Sequence, residues 1–124
     1  RALQGKDKKA ILNIGCCEGK YSKELLPIIQ CEYLNKNRDE IKSTSWIVHT
    51  LEAVLWAFST SDNFEDGLIK AVNLCGDADT IGAIYGTLAG AYYGFSAIPS
   101  RWLNGLQSRE KIDMAFENFM KTIV

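Results

Sequence analysis

The sequence predicts an all-α protein, a compact helical bundle built around one glycine-rich central helix. Three observations carry that expectation. Ile47, Leu51, Val54, Leu55 and Phe58 recur at helical spacing. Gly82, Gly86, Gly90 and Gly94 fall four residues apart within one uncharged stretch. No segment alternates apolar and polar residues between turn signals, as a half-buried strand would.

The elements follow in chain order. Residues 1–20 mix lysines and glycines around one apolar run at 11–14 and predict little. Residues 22–36 read as helix, provided Pro27 sits in a first turn or at a kink. A helix over 47–59 carries the first apolar stripe, with Glu52 on its polar side. Asp62 and Glu65 have capping-box spacing, each able to satisfy a free backbone N–H, and so open a helix over 63–74. Phe64, Leu68, Ala71, Val72 and Cys75 line one side of it. Ser108 can cap a last helix whose stripe is Ile112, Ala115, Phe116, Phe119 and Met120.

The glycine series asks for a physical reason. Each glycine inside a helix costs about 0.8–1 kcal/mol relative to alanine. A smooth glycine stripe offsets that cost where it lets a neighbouring helix approach closely, so this helix is expected to be central and tightly packed on its glycine side. The 21 uncharged residues over 80–100 also raise the possibility of a membrane helix. Glycines, tyrosines, Thr87, Ser96 and the nearby Pro99 make the stretch too polar and too broken for one, and no basic flank accompanies Asp77 and Asp79.

With 124 residues the chain has room for one domain, and its 47% apolar and 23% charged composition is that of a globular protein. A net charge of −1 leaves no basic footprint for nucleic acid. Charge is unevenly placed: residues 43–100 hold Lys70 against six carboxylates, a balance that suits a cation better than a phosphate. Cys16, Cys17, Cys31 and Cys75 form no CxxC pair, and with His49 the only histidine they make no zinc set. They read as reduced thiols, and with no secretory signal the expected setting is intracellular, in the cytoplasm.

The chemistry-bearing motif is Gly76-Asp77-Ala78-Asp79-Thr80, just ahead of the glycine series. Two carboxylates and a hydroxyl within four residues suit Mg²⁺, Mn²⁺ or Ca²⁺, and a helix N-terminus keeps carboxylates ionised. The same residues would serve as a plain helix cap beside an exposed acid.

The run from Asn73-Leu74-Cys75-Gly76-Asp77-Ala78-Asp79-Thr80-Ile81-Gly82-Ala83 on through Gly86-Thr87-Leu88-Ala89-Gly90-Ala91-Tyr92-Tyr93-Gly94 resembles the C-terminal signature of the ADP-ribosylglycohydrolases. Ile98-Pro99-Ser100-Arg101-Trp102-Leu103 and the upstream Thr50-Leu51-Glu52-Ala53-Val54-Leu55-Trp56-Ala57-Phe58 are similar to its neighbouring elements. The likeness is strongest over residues 44–106. It implies an all-α hydrolase with two Mg²⁺ ions, or Mn²⁺ in some members, cleaving ADP-ribose from a protein side chain or related acceptor. Asp77, Asp79 and Thr80 match the family's C-terminal metal ligands. Where the family has a Gly-aromatic pair this chain has Ser45-Trp46, and Trp46 is the candidate to stack on the nucleotide or ribose, the rival role being a core tryptophan.

The family's Thr-Asp-Asp element is absent, and Asp7 and Asp39 are the only aspartates before Asp62. The expectation is therefore a single C-terminal segment over 1–124, completed by an N-terminal segment or a second chain. The alternative is a non-catalytic relative, a helical module for binding ADP-ribose or another protein. Among lesser candidates, His49 reads as an ordinary helix residue, Glu52 as a solvated acid, Cys75 as a small buried residue, and Trp56 and Trp102 as core or groove anchors. The catalytic acid or base is not legible.

Overall fold

A computed structural model describes residues 1–13 and 19–123; Ile14, Cys16 and Cys17 lie outside the described residues. Among the described residues, seven α-helices and four short 3₁₀ turns make up the regular structure, and there is no strand. The helices are α1 (Lys8–Leu12), α2 (Leu26–Ile29), α3 (Ile47–Ser59), α4 (Phe64–Val72), α5 (Ala78–Tyr93), α6 (Ser100–Gly105) and α7 (Arg109–Ile123). None of them is long and apolar enough to cross a membrane.

The core lies where α3, α4 and α5 meet. From α3 it takes Ala53, Val54, Ala57 and Phe58, from α4 Phe64 and Ala71, and from α5 Ile81, Tyr85 and Ala89. The α5 residues are four apart, the α4 pair is seven apart and the α3 residues form two adjacent pairs four apart, spacings that keep each set on one helix face. Tyr33 and Ile28 close the core from the N-terminal side. That segment is not the single helix expected over 22–36. Pro27 sits in the first turn of the four-residue α2, and Cys31 turns left-handed at φ 57° before a 3₁₀ turn, Glu32–Asn35.

The α1 helix is anchored by Leu12 in the core and by Lys8 against the end of α3. Asp7 caps it by accepting the Ala10 N–H at 2.7 Å. Lys8 then places its ammonium 4.8 Å from the Phe58 ring centre and 5.2 Å from that of Tyr93. It donates to the carbonyls of Phe58, at 2.8 Å, and Ser61. Carbonyl dipoles and ring faces offset part of the cost of taking the charge out of water.

The start of α4 differs by one residue from expectation. Asn63, not Asp62, is the cap, its side chain accepting the Asp66 N–H at 2.8 Å. Asn and Asp serve equally here, so adjacent candidates are not separable by residue type.

The glycine series behaves differently from its sequence reading. Only Gly82 meets a neighbour, its missing Cβ lying 3.1 Å from Val72 Cγ1. Gly86 and Gly90 face open space, and Gly94, at φ 83°, ends α5 rather than extending it. The buried face of α5 is the adjacent line of Ile81, Tyr85 and Ala89. The tightest contact on a described helical glycine is instead at Gly67 of α4, where a Cβ would stand 1.8 Å from the Tyr85 side-chain Oη.

The C-terminal helix starts where expected, after Ser108, whose carbonyl accepts the Lys111 N–H at 2.9 Å. Its apolar stripe does not reach the core: Ile112, Phe116, Phe119 and Met120 are all exposed.

Burial pushes the phenol groups of Tyr33, Tyr85 and Tyr93 above their usual value of about 10. A raised folded pKa contributes stability that is complete below the unfolded value and is lost as pH climbs above it. The urea midpoint should therefore fall as pH rises past about 10, and Tyr33→Phe should flatten that fall. Lys8 opposes the trend, since burial lowers its ammonium. A midpoint rising steadily through that range would show that the tyrosines do not dominate.

Candidate functional site

The motif residues stand where α5 begins. The Asp77 carbonyl accepts the Ile81 N–H at 3.1 Å, opening the helix. The Asp77 side chain makes no capping bond to a backbone N–H. Its Oδ1 accepts the Thr80 hydroxyl at 2.8 Å instead. The N-cap position thus falls on Asp77 and not on Asp79 or Thr80, its carboxylate engaging the Thr80 hydroxyl and no backbone N–H, while Asp79 lies in the first turn. Asp77 is half-buried, while Asp79 and Thr80 are exposed.

A threonine that donates its hydrogen to one carboxylate keeps its oxygen lone pairs available. Two carboxylates and one hydroxyl oxygen at the positive end of a sixteen-residue helix form a donor set that fits a hard divalent cation. No cluster of three or more His, Cys, Asp or Glu side chains able to hold a metal is present among the described residues. These three oxygens alone therefore leave half of a six-coordinate shell to be filled from elsewhere.

The turn before Asp77 is built tightly. Cys75 and Gly76 are successive left-handed residues, at φ 63° and φ 61°. Gly76 lies flat on the 43–46 loop, where a Cβ would stand 1.9 Å from the Ser43 carbonyl oxygen. Ser43 donates its hydroxyl to the Cys75 carbonyl, and Arg38 Nη2 donates to the Asn73 carbonyl at 2.6 Å. Cys75 itself is exposed, correcting its reading as a buried residue, because the left-handed turn carries it out of the α4 stripe.

Through that latch the loop holding Trp46 sits beside the turn holding Asp77. Trp46 is the N-cap of α3 and 47% exposed, so it is not a core tryptophan. Its indole meets the His49 ring edge-to-face, with centroids 4.6 Å apart and planes at 85°. Both line a cleft of about 190 Å³ with Lys36, Glu40, Lys42 and Glu52. Asp77 and Asp79 are not among its walls, so the two parts of the candidate site are neighbours and not one pocket. A larger, apolar cleft of about 710 Å³ against Ile84, Thr87, Leu88 and Ala91 of α5 involves neither.

Glu52 departs from its reading as a solvated acid. It is 7% exposed and paired with Lys36 Nζ at 2.5 Å. Trp56 Nε1 donates to the Lys36 carbonyl at 3.0 Å, so α3 grips residue 36 twice. Trp102 is half-buried, its ring 6.5 Å from that of Phe64. Sequence reasoning missed Arg38 and Ser43; the one available signal was a glycine directly before the Asp77 helix start.

A family model described as ADP-ribosylglycohydrolase matches residues 1–123. This chain belongs to the ADP-ribosylglycohydrolase family. Within the family it is 48% identical over 81 residues to the ADP-ribosylarginine hydrolase Tri1 of Serratia proteamaculans (strain 568), covering 65% of this chain and 22% of that protein. It is 46% identical over 76 residues to the ADP-ribosyl-[dinitrogen reductase] glycohydrolase of Rhodospirillum rubrum, covering 61% and 24%. A solved structure titled ADP-ribosylglycohydrolase-related protein complex superposes with a TM-score of 0.79 at 41% identity, covering 91% of this chain and 39% of that one. The chain thus spans under a quarter of the length of these two relatives and has the family's all-α fold.

Proposed function

We propose that this chain contributes one side of a divalent-metal site that hydrolyses the bond between ADP-ribose and a modified protein side chain or related acceptor. Asp77, Asp79 and Thr80 hold Mg²⁺, with Mn²⁺ as the substitute, in a two-ion site completed by an N-terminal segment or a second chain. The observation that carries the reading is the Asp77 carboxylate, which binds the Thr80 hydroxyl and leaves the helix backbone uncapped. The names of the Serratia and Rhodospirillum relatives support the substrate class. Reduced thiols and an intracellular setting belong to the same reading.

Bound Mg²⁺ supplies positive charge that acidifies a water and draws ribose hydroxyls into place. The chain's own part is positional. Asp77 and Asp79 set two anionic oxygens at a helix start, Thr80 fixes the rotamer of Asp77 through its hydrogen bond, and Trp46 offers an aromatic face for the nucleotide or ribose. The absence of a larger acidic cluster among the described residues favours a second reading, a non-catalytic module that binds ADP-ribose.

Calorimetric titration of ADP-ribose with and without Mg²⁺ tests the proposal. Mg²⁺-dependent binding is expected, weakened more than about tenfold in Asp77→Ala/Asp79→Ala, since ligands matter at least as much as the groups behind them. Binding indifferent to Mg²⁺ and to both substitutions would support the second reading. No binding to a folded chain would overturn the second reading and leave these residues as at most half of a site, to be tested again with the completing segment present.

A further inference from the structure

We propose that His49 is a positioning residue, holding the exposed indole of Trp46 in the orientation in which it receives the base of a nucleotide. The inference rests on the reading of Trp46 above and goes beyond it, to what keeps that ring in place. A tryptophan that is 47% exposed at a helix cap has few packing partners to choose its rotamer. Free rotation would have to be frozen on stacking, at an entropic cost to binding. The ring of His49, three residues along α3, blocks that rotation by edge-to-face contact at 4.6 Å.

His49 is itself fixed. Its Nδ1 lies 2.8 Å from Thr44 Oγ1, and that same oxygen accepts the Trp46 backbone N–H at 3.3 Å. A hydroxyl has one hydrogen and two lone pairs, so the Thr44 oxygen serves the Trp46 N–H and the His49 ring at once in either imidazole tautomer. Below them the buried Thr50 hydroxyl is 3.3 Å from the Thr44 carbonyl oxygen and 3.4 Å from that of Trp46, closing the loop onto α3. One threonine oxygen therefore ties together the backbone of Trp46 and the ring packed against its indole. The charged groups around the pair, Glu24, Lys36, Glu40, Lys42 and Glu52, line the same cleft, and Lys36 and Glu52 are engaged with each other.

The arrangement predicts a base-dependent role separate from the metal ligands. Quenching of Trp46 emission by ADP-ribose and by AMP, with ribose 5-phosphate as the ligand lacking a base, reads it directly; Trp46→Phe identifies the signal. His49→Ala should raise the half-quenching concentration of ADP-ribose and AMP about fivefold to tenfold, the worth of one aromatic contact. Mn²⁺ binding at residues 77–80 should not change. His49→Phe, which restores the ring without Nδ1, should recover part of the loss, and Thr44→Val at an exposed position should reproduce part of it if His49→Ala does not fold.

Equal quenching curves for His49→Ala and the unaltered chain would overturn the positioning role while leaving the stacking role of Trp46 intact. Equal loss for ribose 5-phosphate and AMP would overturn it too, since a general structural defect has no preference for a base. Failure of ADP-ribose to quench the unaltered chain, with Mn²⁺ still bound at 77–80, would remove Trp46 and this inference together but not the metal-site reading. Loss of both signals would remove that reading as well.

Discussion

Gly76→Ala is expected to destabilise the chain by about 2–4 kcal/mol and to abolish Mg²⁺-dependent ADP-ribose binding, because two separate penalties meet at this position. The left-handed φ of 61° costs a residue with a Cβ roughly 1–2 kcal/mol. The added methyl would lie 1.9 Å from the Ser43 carbonyl oxygen, which is backbone and has no rotamer to change. Relief requires the 43–46 loop to part from the 75–77 turn, breaking the Ser43–Cys75 hydrogen bond that joins the two segments. Gly5→Ala separates the terms, since Gly5 has φ 67° and nothing within 4 Å of its missing Cβ. It should cost only about 1 kcal/mol and leave binding unchanged. Urea unfolding and calorimetry of both variants check the difference; equal effects would mean that the latch contributes nothing.

Gly67→Ala acts on the core. On helix propensity alone it should stabilise α4 by about 0.8–1 kcal/mol. The new Cβ would overlap Tyr85, at 1.8 Å from Oη and 2.4 Å from Cζ, and Tyr85 has no exposed surface into which to move. Overpacking of that kind costs about 1–3 kcal/mol or more, so the net effect is expected to be destabilising. Tyr85→Phe alone should be within about 1 kcal/mol of neutral, since its buried hydroxyl finds no hydrogen-bond partner among the described residues. In the double variant rescue should be incomplete, because Cζ remains. A stabilised Gly67→Ala, seen as a raised urea midpoint, would show that α4 and α5 can separate without loss.

These two glycines mark the limit of what the sequence disclosed. The α3 helix was legible to its ends because its apolar residues repeat at the helical period and Thr60 follows with no further stripe. The start of α5 was legible because carboxylates collect at helix N-termini. Burial was not. Gly82, Gly86 and Gly90 advertise a smooth face by their spacing, yet spacing carries no information about whether a neighbour lies opposite, and two of the three face open space. Gly67, which has no periodic partner, gave no signal although it makes the closest approach in the core. The same limit applies to α7, where a helical apolar stripe is present and exposed. In the 22–36 segment the error was of continuity: a left-handed Cys31 interrupts the helix, and cysteine is not a residue whose type announces that conformation.

The candidate site was legible in its composition and not in its geometry. Asp77, Asp79 and Thr80 were identifiable as a donor set, and Trp46 as an aromatic platform. That a serine hydroxyl and a glycine backbone clamp their two loops together depends on a contact 32 residues apart in the chain, which local patterns do not encode.

The most direct test of the metal assignment is paramagnetic broadening of amide resonances by Mn²⁺, which detects weak binding residue by residue. The account predicts broadening centred on residues 76–80, reversed by excess Mg²⁺ and lost in Asp77→Asn/Asp79→Asn while the rest of the spectrum is unchanged. Broadening centred instead on the α4 acids Glu65 and Asp66, or unaffected by the double substitution, would contradict it.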